Sequence, residues 1–237
     1  MFVSGKDIQP TDGLCVYDIE TVPQNNLSKI QSIELEKRFK RSRLLESGIK
    51  EIKVPPYLAE YDKEVEKLKS QFMATSPYFG KIVCIGMYWP TSNLKEALIG
   101  DEQSILEKFW SRIDSAHFSG NFVSFNGLEF DMPYIVRRSI LHGILPTNEG
   151  FLNTYRFQKV PHRDVYLLLS DFGRNFHINL DLACEIFDIP SPKRGEVRAE
   201  NVADYYEAGK IELIAEYCLK DIIATYLLYD KIRKYFC

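Results

Sequence analysis

The 237-residue chain has no excess of basic charge: 30 Lys and Arg face 33 Asp and Glu, for a net charge of −3. Attraction of the whole molecule to a polyanion is thereby excluded, and any grip on one must rest on local basic clusters or on bound cations. No apolar run approaches the roughly 20 residues that a membrane span requires. Met1 to Pro10 lacks an apolar core, so neither a membrane span nor a signal peptide is expected. The five cysteines, Cys15, Cys84, Cys184, Cys218 and Cys237, are odd in number and too dispersed for a metal knuckle. Four lie in apolar runs, which predicts reduced core thiols and a reducing, cytoplasmic compartment. There is no internal repeat. An apolar content of 45% with 13% aromatics suffices for one sizeable core, so residues 1–237 are expected to form a single domain.

Taken in order, the chain first gives an apolar run, Leu14-Cys15-Val16-Tyr17, of strand-forming residue types. From Pro23 to Ser76 its character changes. Residues 29–47 and 60–72 are charge-dense helix formers, broken by Lys53-Val54-Pro55-Pro56, which predicts a helical insertion at about 24–76. Within it, Lys37 to Arg43 is the most basic run of the protein, either a grip on phosphates or a solvated face. Lys81 to Trp89 reads as a buried strand with Leu94–Ile99 as its hairpin partner. Apolar spacing predicts a helix from Asp101 through Ile113. A short strand, Asn121–Phe125, turns off at Asn126-Gly127, and Pro133 suits the first turn of a helix ending at Gly143. Asp131 is thus expected just ahead of a helix N-terminus, a favoured place for functional groups in α/β sheets. Helices are expected over 164–172 and 179–187, a polar loop over 191–200, and a long final helix from Lys210 to Tyr235. Strands dominate the first half and helices the second, which predicts an α/β domain with one central sheet.

The candidate site begins with Asp18 and Glu20. Alternation along a strand puts both on one face, roughly 6.5–7 Å apart at about 3.3 Å per residue. Carboxylates that close repel each other unless a cation sits between them, and a hard divalent ion suits oxygen ligands. Taken alone, the pair is equally well described as two surface acids on an edge strand. On a helix, Tyr217 and Asp221 are four apart and share a face. The sequence also carries decoys. Asp62-Lys63-Glu64 repeats the acid spacing in a helical setting that splits the two acids. Tyr226 and Asp230 repeat the Tyr-x-x-x-Asp spacing nine residues on, about two and a half turns, so on the opposite side.

Asp18-Ile19-Glu20-Thr21, Asn126 to Asp131 and Tyr217-Cys218-Leu219-Lys220-Asp221 stand in the order of three motifs, Asp-x-Glu, Asn followed by Phe-Asp, and Tyr-x-x-x-Asp. With them the chain resembles the DEDD superfamily of 3′–5′ exonucleases, and within it the proofreading domains of family-B DNA polymerases and their free-standing relatives. The likeness spans about residues 14–229, apart from the insertion. None of His117, His142, His162 or His177 has an Asp five positions on, so the tyrosine type fits rather than the histidine type. The resemblance implies a ribonuclease H-like fold with a central mixed sheet flanked by helices. It also implies two divalent ions, Mg²⁺ or Mn²⁺, held by Asp18, Glu20, Asp131 and Asp221, with Tyr217 orienting the attacking water. Thr21, Asn126 and Phe130 would then meet the strand, Phe130 by stacking or else as core packing. Asp164 is expected to be a helix cap rather than a fifth ligand. The basic stretches Arg156–Arg163 and Lys193–Arg198 are phosphate contacts or solvated loops. The expected partner is single-stranded DNA. The alternatives are RNA, or a nucleic-acid-binding module that keeps the fold without turnover.

Overall fold

The computed structural model describes residues 13–47, 58–153, 155, 160–174, 176–191 and 196–236; for 41–47 and 58–64 it describes the backbone alone. The sheet has five strands, β1 (Leu14–Pro23), β2 (Gly80–Trp89), β3 (Leu94–Ile99), β4 (Asn121–Ser124) and β5 (His162–Asp164), in the order β3-β2-β1-β4-β5. β2 and β3 pair as an antiparallel hairpin, with Cys84 opposite Ile99 and Trp89 opposite Leu94. β1 runs parallel to β4, with Val16 opposite Val123, and β4 runs parallel to β5, with Ser124 opposite Asp164. The sheet is therefore mixed, and the carboxyl ends of its three parallel strands lie at one edge, where α/β sheets place their functional groups.

Strand alternation divides the core into two layers. Cys15, Tyr17, Ile19 and Phe122 face α3 (Glu102–Arg112) and α4 (Asp131–Leu141), together with Phe109, Trp110, Ile135 and Phe151. Aromatic edges fill this layer, with Tyr17 5.3 Å and Phe122 5.0 Å from Phe151 between ring centroids. Val16, Val123 and Phe125 face the other way, against Ile222, Leu228 and Ile232 of α8 (Ile211–Phe236). Every third or fourth residue of α8 is buried, as its apolar periodicity requires. Gly86 is needed where β2 passes under this helix, because a Cβ there would meet Cys218 Sγ at 2.8 Å. α3 begins at an Asp101 cap, whose side chain accepts the Ser104 N–H at 3.0 Å. Glu102 ties three elements together: it accepts from Arg138 Nε at 2.8 Å and from the Ile82 N–H at 2.7 Å, and meets His142 Nε2 at 2.8 Å.

The described residues separate into two compact units, one from 1–20 with 82–237, the other 21–81. The second unit holds the expected helical insertion, α1 (Lys29–Ser47) and α2 (Leu58–Ala74). Inside it, Phe39 packs on Phe72 with ring centroids 5.9 Å apart, Lys69 pairs with Glu36, and Gln24 bonds the Phe79 carbonyl at 2.8 Å. Of the basic run, Lys37, Arg38 and Lys40 are exposed, and Arg38 is paired with Glu34 at 2.7 Å; the side chains of 41–43 lie outside the described residues, as do residues 156–159 and 193–195 of the other two basic stretches.

Four details differ from the sequence expectation. The helix expected over 164–172 is only α5, Val165–Leu169. The chain leaves it through Asp171 and Phe172 with φ of 52° and 59°, a left-handed path that a helix cannot follow. A three-residue strand, β5, precedes it, and a short helix, α7 (Val202–Glu207), lies ahead of α8; α6 (Leu180–Ile186) is close to its expected place. Asp131 is the first residue of α4 rather than the residue before it, because Phe130 holds the cap position without a capping side chain. Among the described residues, no helix is long and apolar enough to cross a membrane.

Candidate functional site

Three segments far apart in sequence bring the acids together. β1 presents Asp18 and Glu20 on the face that carries α8. Their carboxylate oxygens and the Cys218 sulfur all lie within 4.8 Å of one another, so the two side chains converge more closely than strand spacing alone suggests. Asp131, at the start of α4 and only 2% exposed, is fixed to β1 by the Ile19 N–H, which its Oδ1 accepts at 3.0 Å. α8 supplies Tyr217, Cys218 and Asp221 on one side, at positions related by three and four residues. Cys218 Sγ donates to the Asp18 carbonyl at 3.6 Å and to Asp18 Oδ2 at 3.7 Å. The sequence places Cys218 in the core and does not reveal this contact, although its i,i+3 relation to Asp221 is visible in the motif.

The electrostatics show one coupled cluster. Burial, then the charges of Asp131 and Asp221, push the Asp18 carboxyl well above the usual carboxylate range. Burial, then Asp18 and Asp221, do the same to Glu20, which is 7% exposed. Burial raises Asp131 to about 7 against the opposing pull of the Ile19 N–H. Asp18 therefore senses the charges of Asp131 and Asp221 more strongly than any other. The Tyr217 phenol is raised by burial, then by Asp221, Glu20 and Asp18, so its proton is held firmly. Among the described residues, none of the largest influences on these acids is a lysine or arginine. A set of crowded carboxylates with little competing cationic charge fits a hard divalent cation.

This arrangement fixes a pH dependence. A carboxyl raised in the folded state stabilises the fold fully below its unfolded value, about 3.9 for Asp, and that contribution is lost as pH rises through the folded value. For Asp131 the loss runs from about pH 4 through about 7, and Asp18 and Glu20 act in the same direction. In chelating buffer the melting temperature is expected to fall from pH 6 to pH 8, and a divalent cation to remove the decline. Melts across that range with and without magnesium check it; a flat profile in chelator contradicts the clustering.

The turn that delivers Asp131 is held from below by Asp164. Its carboxylate accepts the N–H groups of Asn126 at 2.9 Å, Leu128 at 3.0 Å and Leu167 at 3.2 Å. It is thus the cap of α5 that the sequence suggests, and also a bracket for the β4–α4 turn that the sequence does not reveal. Asp164→Ala would strand three N–H groups in a largely buried place and is expected to cost on the order of 3 kcal/mol. Denaturant unfolding measures this, and a loss under about 1 kcal/mol would contradict the bracket.

The remaining expected residues are placed as follows. Asn126 forms the turn with φ of 64°, and its Oδ1 has no hydrogen-bond partner among the described residues. Phe130 is half-buried, with one side against Tyr134 at 5.5 Å, so core packing claims much of its ring. Thr21 follows Glu20 on the opposite face of β1 by strand alternation and opens the second unit. The decoy Tyr226 packs edge-on against Tyr88 at 5.2 Å, and Asp230 is exposed and paired with Arg233 at 2.9 Å, so neither joins the cluster. His162 is buried against the Phe151 carbonyl, and burial lowers its pKa to about 4, which makes it a neutral core group.

Residues 91–236 match a family described as predicted 3′–5′ exonucleases related to the exonuclease domain of PolB. The chain belongs to this family. The match includes Asp131, Tyr217 and Asp221, while Asp18 and Glu20 lie before it. Among curated proteins, this PolB-related exonuclease chain is similar to the catalytic subunit of DNA polymerase epsilon from Dictyostelium discoideum, with 30% identity over 135 residues. That stretch is 54% of this chain and 6% of the relative, so the likeness concerns a small part of a much larger protein. Among solved structures, the family B DNA polymerase of the archaeon Pyrobaculum calidifontis aligns with a TM-score of 0.61 at 15% identity, over 93% of this chain and 24% of that one. At that identity the alignment speaks for the fold alone, an α/β fold of the ribonuclease H-like type.

Proposed function

We propose that the protein is a metal-dependent 3′–5′ exonuclease that releases 5′-mononucleotides from the 3′ ends of single-stranded DNA. The observation that carries this reading is the convergence of Asp18 and Glu20 on one point, with the charges of Asp131 and Asp221 acting on both and the Tyr217 phenol beside them. DNA is chosen over RNA because the family is described by its relation to PolB and the similar curated protein belongs to a DNA polymerase. The four carboxylates would hold two divalent cations, Mg²⁺ or Mn²⁺. When bound, such a pair of cations stabilises both the attacking and the leaving oxygen of an in-line phosphoryl displacement.

The chain's own groups supply position and protonation. Tyr217 keeps its phenol proton, because burial and three neighbouring acids oppose its loss, so it orients water by hydrogen bonding and does not act as the base. The Ile19 N–H holds Asp131 at a fixed angle to β1, and Asp164 holds the turn ahead of it. Asn126, with an uncommitted side-chain oxygen, and Phe130 are assigned to the strand. The four buried free thiols suit work in a reducing intracellular compartment. Digestion of 5′-labelled DNA and RNA oligomers side by side, with magnesium or manganese, tests the reading. A ladder shortening from the 3′ end, faster on DNA, is expected; faster digestion of RNA would overturn the substrate, and internal cuts would overturn the polarity.

A further inference from the structure

An aromatic row leads away from the acidic cluster across the parallel edge of the sheet. Val16 pairs with Val123; Asp18 stands two residues beyond the first on β1, and Phe125 two residues beyond the second, just past the end of β4. Val16, Val123 and Phe125 all belong to the layer under α8, so Phe125 lies on the same face as Asp18. The next ring in the row is Tyr166, in the first turn of α5, with its centroid 5.9 Å from that of Phe125. Beyond it stands His177, exposed, with its ring 6.5 Å from Tyr166 and only 18° from parallel to it.

The Tyr166 hydroxyl and His177 Nδ1 are hydrogen-bonded at 2.7 Å. Joined by that bond and only 18° from parallel, the two rings form one restrained aromatic plate, with Phe125 packed against its Tyr166 side. A lone surface histidine or tyrosine turns freely about its side-chain bonds. Here the mutual hydrogen bond restrains both, so the ordering that stacking requires is already in place.

We propose that the Tyr166–His177 plate is a stacking subsite for a nucleobase of the strand, upstream of the nucleotide at the acidic cluster. This rests on the exonuclease reading for its ligand, and on the register and the ring geometry for its place. Every base offers a π-face, so the plate accepts any sequence, as a trimming enzyme requires. For a protein with net charge −3 it also supplies affinity that does not depend on phosphate contacts.

The test is a double-mutant cycle read by fluorescence anisotropy in chelating buffer, where the strand stays intact. Homopolymeric DNA and RNA strands carry one abasic residue at successive positions from the 3′ end. At one position the abasic strand should bind the wild-type protein roughly 5- to 150-fold more weakly, the range for loss of one base–aromatic stack. Tyr166→Ala should weaken binding of the intact strand by a similar factor, with no further loss on that abasic strand. Tyr166→Phe, which keeps the ring and breaks the bond to His177, should lose part of this. The abasic series on wild-type protein reads the plate even where Tyr166→Ala disturbs packing on Phe125. Equal loss with DNA and RNA is expected of a base contact, and the tighter strand identifies the source of the base. Abasic strands that bind like intact ones at every position, or losses that simply multiply, would overturn the plate. The exonuclease reading fails separately, through absent metal-dependent digestion by a protein whose cycle still shows coupling.

Discussion

Asp18→Asn and Asp221→Asn are expected to slow strand digestion by about 1,000-fold or more. Each exchange keeps the side-chain shape and removes one negative charge from the cluster. Electrostatic stabilisation by bound cations is worth several kcal/mol in a phosphoryl displacement, and every 1.36 kcal/mol is tenfold in rate. Asp18 has the larger expected effect, because the charges of Asp131 and Asp221 are the largest Coulombic influences on it. The same exchange relieves repulsion among carboxylates that burial has already raised. In chelating buffer both variants should therefore melt at a higher temperature than wild type, and magnesium should stabilise them less. Loss of activity with a lowered melting temperature would indicate a damaged fold instead. Near-normal, metal-dependent digestion by either variant would show that the site lies elsewhere.

Tyr217→Phe is expected to reduce turnover by about 100-fold while leaving cation binding, read by calorimetry or by melting with magnesium, close to that of wild type. The ring is only 7% exposed and its hydroxyl lies among Asp221, Glu20 and Asp18, so the exchange deletes one polar atom at the cluster and little packing. Tyr226→Phe is the matched control on the same helix. Its ring packs against Tyr88, away from the acids, and turnover should be unchanged. Equal losses from both variants would place the active face of α8 wrongly. A Tyr217→Phe protein with full turnover would remove the phenol from the mechanism.

The features legible in the sequence are those set by local periodicity. Asp18 and Glu20 share a face because strands alternate, and Tyr217 and Asp221 because a helix returns every three to four residues. The same periodicities mark α3, α4 and α8 and the β2–β3 hairpin. What escapes depends on contacts distant in the chain or on unusual backbone. Asp164 reads as a helix cap from its neighbours, but its bonds to Asn126 and Leu128 cross 38 and 36 residues. Cys218 looks like one more core thiol until β1 brings the Asp18 carbonyl to it, 200 residues away. β5 is three residues long and polar, too short to show alternation. α5 ends where two consecutive non-glycine residues take positive φ, an uncommon step that residue preference does not foretell. The plate of Tyr166 and His177 likewise joins residues 11 apart through an irregular turn.

The most direct measurement is the fate of a single-stranded DNA labelled at its last nucleotide, incubated with the purified protein in magnesium and, in parallel, in chelator. Release of the label as a 5′-mononucleotide in magnesium alone, abolished by Asp18→Asn, is the predicted result. Label that stays on the strand in magnesium or manganese, or that leaves as an oligonucleotide or a 3′-phosphate, would contradict the account.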